Sequence, residues 1–158
     1  MIIIGIDPGY DRLGVAVIEK DTHSKKERHL YSDCLQTLST DCFEDRLLSI
    51  GKQLETIIEK FNPSEVALES LYFNTNQKTA INVAGVRGII LYIAKKYKIN
   101  TTEYTPIQIK SAVGGSGRAS KKEVEMMIQN LLTLPKKKRL DDEYDAIAVA
   151  LTHSACIR

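Results

Sequence analysis

Apolar and polar positions along the chain follow two periods, one near 2 and one near 3.6. Ile2-Ile-Ile-Gly-Ile-Asp7 is a short apolar run closed by Pro8-Gly9 and predicts a buried strand. Leu13–Ile18 is a second apolar run, and Glu27–Leu38 supplies a third strand of weaker pattern. Consecutive short strands of this kind suggest an antiparallel start to a sheet. A helix is expected next, because Phe43, Leu47, Leu54, Ile57, Ile58 and Phe61 keep helical spacing. Asp41, with Glu44 three residues on, is placed to cap it, and Pro63 stops it. Val66-Ala-Leu-Glu69 reads as the next strand, then a helix from about Gln77 to Tyr97, then a short strand near Asn100–Tyr104. Two helices complete the chain. One follows Ser120, with Glu123 as capping-box partner, and ends by Pro135; the other runs from about Leu140 to His153. Hairpin-like strands followed by alternating helix and strand imply an α/β fold, a mixed five-stranded sheet with helices packed on both faces.

The same periods place the acids. Strand side chains alternate between faces, so Ile2, Ile4 and Ile6 share one face while Gly5 and Asp7 share the other. Val66 and Leu68 likewise leave Ala67 and Glu69 opposite. Asp7 and Glu69 therefore each end an apolar strand behind a small residue, which leaves open space around them. A carboxylate at the edge of a core is expensive unless it is paired or binds a cation. Asp141-Asp-Glu-Tyr-Asp145 opens the last helix, where acids also complement the helix dipole. Asp142 and Asp145 at i,i+3 project to one face, and Ala146, Ala148, Val149 and Ala150 mark a helix packed closely on something. Spacing alone does not choose Asp142 over Asp141. Four acids from three elements suit oxygen-rich coordination of Mg²⁺, with Mn²⁺ able to substitute. Two such ions ~3.5–4 Å apart can activate water and stabilise the leaving oxygen of a phosphodiester.

Composition adds a compartment and a partner. The 158 residues fit one domain, 1–158, and no run approaches a membrane span. The opening residues lack a basic leader and are read as a mature start. Cys34, Cys42 and Cys156 show no metal-ligand spacing, and three free thiols suit a reducing cytoplasm. The net charge of +2 hides an asymmetry. Residues 105–140 carry eight basic side chains against Glu123 and Glu125, while the remainder has fourteen basic and eighteen acidic ones. That stretch is expected to present a basic face to a polyanion.

Five segments together resemble the RuvC resolvases in kind and order: Ile4-Gly-Ile-Asp-Pro-Gly9, Ala67-Leu-Glu69, Glu103-Tyr-Thr-Pro106 followed by Lys110, Gly117-Arg-Ala-Ser-Lys121, and Asp142-Glu-Tyr-Asp-Ala146. The resemblance runs from Met1 to about Ser154. It implies an RNase H-like fold and a divalent-metal endonuclease that resolves four-way (Holliday) DNA junctions as a homodimer. It also implies a branch-migration partner of RuvA–RuvB type. Carried over by position, the catalytic and metal-binding acids are Asp7, Glu69, Asp142 and Asp145, which selects Asp142 over Asp141. The basic residues near the cleaved strand become Lys110 and Lys121. The aromatic near the junction centre becomes Tyr72, where many members have Phe, and neighbouring Phe73 could share or take that role. Some members carry a longer basic tail than this chain has after Arg158, so contacts from such a tail are not expected.

The remaining features support or compete with that reading. Gly114-Gly-Ser-Gly-Arg118 can bring backbone amides to a phosphate, with Arg118 and Lys121 adding charge. Lys136-Lys-Lys-Arg139 reads as a solvated loop. His153, eleven residues beyond Asp142, lies too far along the helix to share its metal and reads as a cation at the helix C-terminus. Ala84-Gly-Val-Arg-Gly88 permits close backbone approach, either to the sheet or to a second subunit. An actin-like ATPase would need a second phosphate loop and a second domain. A non-catalytic DNA-binding module would show no divalent-ion dependence, and another RNase H-like nuclease would prefer RNA or hybrid duplex.

Overall fold

The computed structural model describes residues 1–21, 23–24, 26–70 and 77–157. Its elements are β1 (Ile2–Asp7), β2 (Arg12–Lys20), β3 (Glu27–Gln36), α1 (Phe43–Phe61), β4 (Glu65–Glu69), α2 (Gln77–Lys96), β5 (Asn100–Tyr104), α3 (Pro106–Gly114), α4 (Lys121–Leu131) and α5 (Asp141–Cys156). The strands form one mixed sheet of order β3-β2-β1-β4-β5. β1, β2 and β3 pair antiparallel, as the consecutive apolar runs suggested, whereas β4 and β5 add on in parallel.

The alternation read from β1 and β4 decides what each sheet face meets. Ile4, Ile6, Val66 and Leu68 pack with Ile50 and Leu54 of α1 and with Val86 and Ile90 of α2. On the other face Ile3 and Ala67 lie with Ala146, Ile147 and Ala150 of α5, and Ile109 and Ile128 extend that core into α3 and α4. Burying each large aliphatic side chain contributes roughly 1.5–3 kcal/mol, so two covered faces hold the strands in register.

Several helix boundaries depart from the sequence reading. Cys42, not Asp41, is the N-cap of α1, and its thiol donates to Asp45 at 3.1 Å while the Asp41 amide turns back to Leu38. Asn62 ends that helix in the left-handed region at φ 47, a conformation Asn tolerates, just ahead of Pro63. α4 stops at Leu131, with Leu132 extended, rather than running to Pro135. α3 was not anticipated. Its start carries a reciprocal capping box, Thr105 with Gln108, and Pro106 in the first turn.

The glycines of β1 and β2 position α5. A Cβ at Gly5 would collide with the backbone of Ala146 and Ala150, and one at Gly14 with the Asp142 carbonyl. The space behind Asp7 is therefore filled by a helix, not left open. Because α5 rests on these two glycines, its first turns come down beside the carboxyl end of β1.

Candidate active site

Parallel pairing of β1 with β4 sets Gly5 beside Ala67 and Ile6 beside Leu68, so one further step brings Asp7 level with Glu69. On its other side Asp7 pairs with Gly14, over which α5 passes. The result is a cleft of about 370 Å³ lined by Asp7, Glu69 and Asp145, with Lys110 of α3 and Lys121 of α4 on its rim. Three of the four expected acids and both expected lysines thus share one cavity. Asp142 is not among its lining residues. Its carboxylate lies 3.6 Å from Arg12 Nε at the start of β2.

The electrostatics are those of a crowded carboxylate cluster. Asp7 is pushed up to about 7 by burial first, then by the charges of Glu69, Asp145 and Asp142, against a smaller opposing pull from Lys121. Burial and Asp145 raise Glu69, while Lys121 and Lys110 oppose the rise. Burial also raises Asp145, against the pull of Lys121, whose Nζ lies 3.3 Å from Asp145 Oδ2 and 3.8 Å from Asp141. Burial alone would lower the Lys121 ammonium, but Asp145, Asp141 and Asp7 hold it above the usual lysine range. One lysine does not neutralise this cluster.

Other expected residues fall elsewhere. Arg118 is exposed on the α3–α4 connection and does not line the cleft, though the connection makes a left-handed turn at Gly115. Tyr72 and Phe73 lie outside the described residues. His153 is not a solvated cation: it is buried at the opposite end of the sheet, with Nδ1 2.9 Å from the Tyr104 hydroxyl and Nε2 3.5 Å from Glu65. Burial holds it below the usual histidine range, with Glu65 opposing. Gly85 serves the chain's own packing, since a Cβ there would strike the Phe43 ring, whereas Gly88 faces open space. Arg12 was missed. Register offered the signal, for with Gly14 opposite Asp7 the side chain two residues back lies on the same sheet face.

The family model of crossover junction endodeoxyribonuclease RuvC matches residues 3–153. This chain belongs to the RuvC family. The RuvC of Ruminiclostridium cellulolyticum is 41% identical over 153 residues, which is 97% of this chain and 91% of that one. The Thermus thermophilus RuvC structure superposes with a TM-score of 0.88 at 31% identity, covering 98% of this chain and 94% of that chain. The T. thermophilus RuvC in complex with a Holliday junction substrate gives 0.89 at 31% identity, covering 97% and 92%. The mixed five-stranded sheet is therefore the RNase H-like fold of RuvC.

Proposed function

We infer that this RuvC-family chain is a Holliday junction resolvase, an endonuclease that hydrolyses phosphodiester bonds in opposing strands of a four-way DNA junction. The observation that carries the reading is the cleft in which Asp7, Glu69 and Asp145 meet Lys110 and Lys121 on a scaffold that matches RuvC along nearly its whole length.

Among the described residues no three His, Cys, Asp or Glu side chains close around one point at metal-ligand distance. The donor chemistry nevertheless fits a hard divalent cation, because all the acids offer oxygen and a bound cation would offset both the burial and the mutual repulsion that raise Asp7 and Glu69. Asp7, Glu69 and Asp145 would hold magnesium, or manganese in its place, with Asp142 joining from the first turn of α5. Two bound ions would supply Lewis-acid stabilisation of the attacking and leaving oxygens of the phosphodiester. The chain's own residues bind and orient. Lys110 and Lys121 draw a phosphate toward the acids, and the flexible Lys121 stem lets its ammonium pass from Asp145 and Asp141 to that phosphate. Arg118 adds charge beside the cleft, and Tyr72 with Phe73 supplies aromatic surface for unpaired bases at the junction centre.

Replacing Lys110 or Lys121 by Ala should weaken junction binding and lower the slope of log affinity against log salt by about 1 per lysine, because each phosphate contact releases condensed counterions. Equal slopes for wild type and both variants, measured by titration across NaCl concentrations, would refute their place at phosphates.

Resolution needs two symmetric cuts, and this chain carries one set of acids, so the working unit is a two-fold homodimer. Its support on α2 is an exposed stripe, Ile81, Ala84, Gly88 and Tyr92, at helical spacing. Junction delivery by a RuvA–RuvB type branch-migration complex belongs to the same proposal. So does a cytoplasmic setting, supported by the free Cys34, Cys42 and Cys156; no described helix is long and apolar enough to cross a membrane. Mixing wild type with excess Asp7→Asn subunits tests the assembly. On a supercoiled cruciform the heterodimers should give nicked circles in place of linear DNA. Linear product at undiminished yield would rule the dimer out.

A further inference from the structure

The Lys136–Arg139 run does not behave as a solvated loop throughout. The Arg139 side chain is only 3% exposed and the Glu143 side chain 4%. Arg139 Nε lies 3.0 Å and Lys137 Nζ 2.9 Å from the same Glu143 oxygen, to which Ser32 Oγ also donates at 2.6 Å. Lys137 donates in addition to the Ser32 carbonyl at 2.9 Å. One buried carboxylate therefore faces two cations. Among the described residues Arg139 Nη2 is buried with no hydrogen-bond partner, and Nε, close as it is to Glu143, makes no aligned hydrogen bond. Leaving an ionised, buried donor unpaired is costly, so such donors ordinarily have an acceptor.

Arg139 lines a cavity of about 770 Å³ between the end of α4 and the α4–α5 connection. Lys136 and Lys137 line it as well, and among the described residues no carboxylate does. Lys136 makes no ion pair among the described residues. Leu131, Leu134 and Pro135 form an apolar wall beside the cations. The volume lies within the ~300–1,000 Å³ of ordinary small-ligand sites. Next to the cluster, half-buried His29 touches Ser32 and is held below the usual histidine range by burial and then by Arg139, with Glu143 opposing.

We propose that this cavity is a phosphate-binding pocket in which Arg139, Lys136 and Lys137 take the phosphate of a nucleotide while Leu131, Leu134 and Pro135 take its sugar and base. The planar Arg fork suits phosphate oxygens, and the two lysines add charge. The phosphate has two sources of the same chemistry, a free mononucleotide or the backbone of a duplex arm. Only the second source rests on the DNA-cleaving reading, and neither uses a residue of the acid cleft.

The test uses the full chain in EDTA with deoxyadenosine 5′-monophosphate as probe, deoxyadenosine as the uncharged control, and a short linear duplex titrated across NaCl. The variants are Lys136→Ala, on an exposed side chain, and Arg139→Gln with Glu143→Gln, which keeps shape without stranding a buried charge. For a free nucleotide, the monophosphate binds at least about tenfold more tightly than deoxyadenosine, a difference typical of charge-assisted contacts. Both variants then weaken it, while Lys110→Ala does not. For a DNA arm, the monophosphate fails to bind and Lys136→Ala lowers the duplex salt slope by about 1. The pocket is overturned if monophosphate binding is lost in Lys110→Ala but kept in Lys136→Ala. It is overturned equally if Lys136→Ala changes neither nucleotide binding nor the duplex slope. Because no cleavage is read, failure here leaves the resolvase reading intact.

Discussion

Asp7→Asn, Glu69→Gln and Asp145→Asn should each lower junction cleavage by roughly a thousandfold or more, about 4 kcal/mol or more at ~1.4 kcal/mol per decade, while leaving junction binding intact or tighter. Each change keeps the shape of the side chain and removes one negative oxygen donor from the cleft. Among the described residues the acids that line the cleft are Asp7, Glu69 and Asp145, one from each of three elements, so losing any one leaves a donor position that no other lining carboxylate fills. Binding moves the other way because the cluster repels phosphate, and every neutralised carboxylate lessens that repulsion. Cleavage rates and gel-shift affinities measured on the same preparations separate the two effects. An Asp7→Asn enzyme with full activity would contradict the assignment of these acids to the metal and the reaction. A variant that also lost junction binding would show that the acid serves the fold.

The same crowding should make the ion-free protein less stable as pH rises, and Asp7→Asn should relieve it. Asp7 is raised from 3.8 to about 7, chiefly by burial and then by Glu69. Below about pH 4 the folded and unfolded chains both hold this proton, and the group does not affect stability. Between the two values the folded chain keeps a proton that the unfolded chain releases, so stability falls as pH rises; above about 7 the whole penalty is present. At ~1.4 kcal/mol per pH unit that penalty is on the order of 4 kcal/mol. Asn cannot ionise. In EDTA at pH 8 the variant should therefore melt higher by roughly 8–16 °C, at about 2–4 °C per kcal/mol for a chain of this size. The gain should shrink toward pH 5, and magnesium should raise the Tm of wild type more than that of the variant. Thermal melts at pH 5 and pH 8, with and without the ion, check this. A gain as large at pH 5 as at pH 8 would contradict the origin of the strain.

What was legible in the sequence followed from short periods. Alternation in Ile2–Asp7 and Val66–Glu69 was enough to put both acids on the α5 side of the sheet, because a strand fixes side-chain direction residue by residue. Gly5 and Ala67 were seen as small, but their partner was not, since only register and tertiary packing reveal that α5 fills the space. α3 escaped because nine residues give a weak apolar pattern; its capping box from Thr105 to Gln108 was the readable sign. Helical spacing put Asp142 and Asp145 on one face; Asp145 lines the cleft, while Asp142 stands 3.6 Å from Arg12 Nε and acts on Asp7 through its charge. His153 sat where a C-terminal cation would, but depth of burial, which spacing does not report, governs its charge. The basic run before α5 misled for a related reason. Glu143 lies four residues after Arg139 and draws that side chain inward, a pairing visible in the spacing but overridden by the density of charge around it.

Divalent-ion-dependent cutting of junctions in this cleft is tested most directly by offering wild-type protein a synthetic four-way junction, a linear duplex of the same sequence and an RNA–DNA hybrid, each with magnesium and with EDTA. Paired, symmetric nicks in opposing strands of the junction are expected with magnesium, with no cutting in EDTA and with duplex and hybrid left whole. Cleavage that persists in EDTA, or duplex or hybrid cut as fast as the junction, would contradict the resolvase reading.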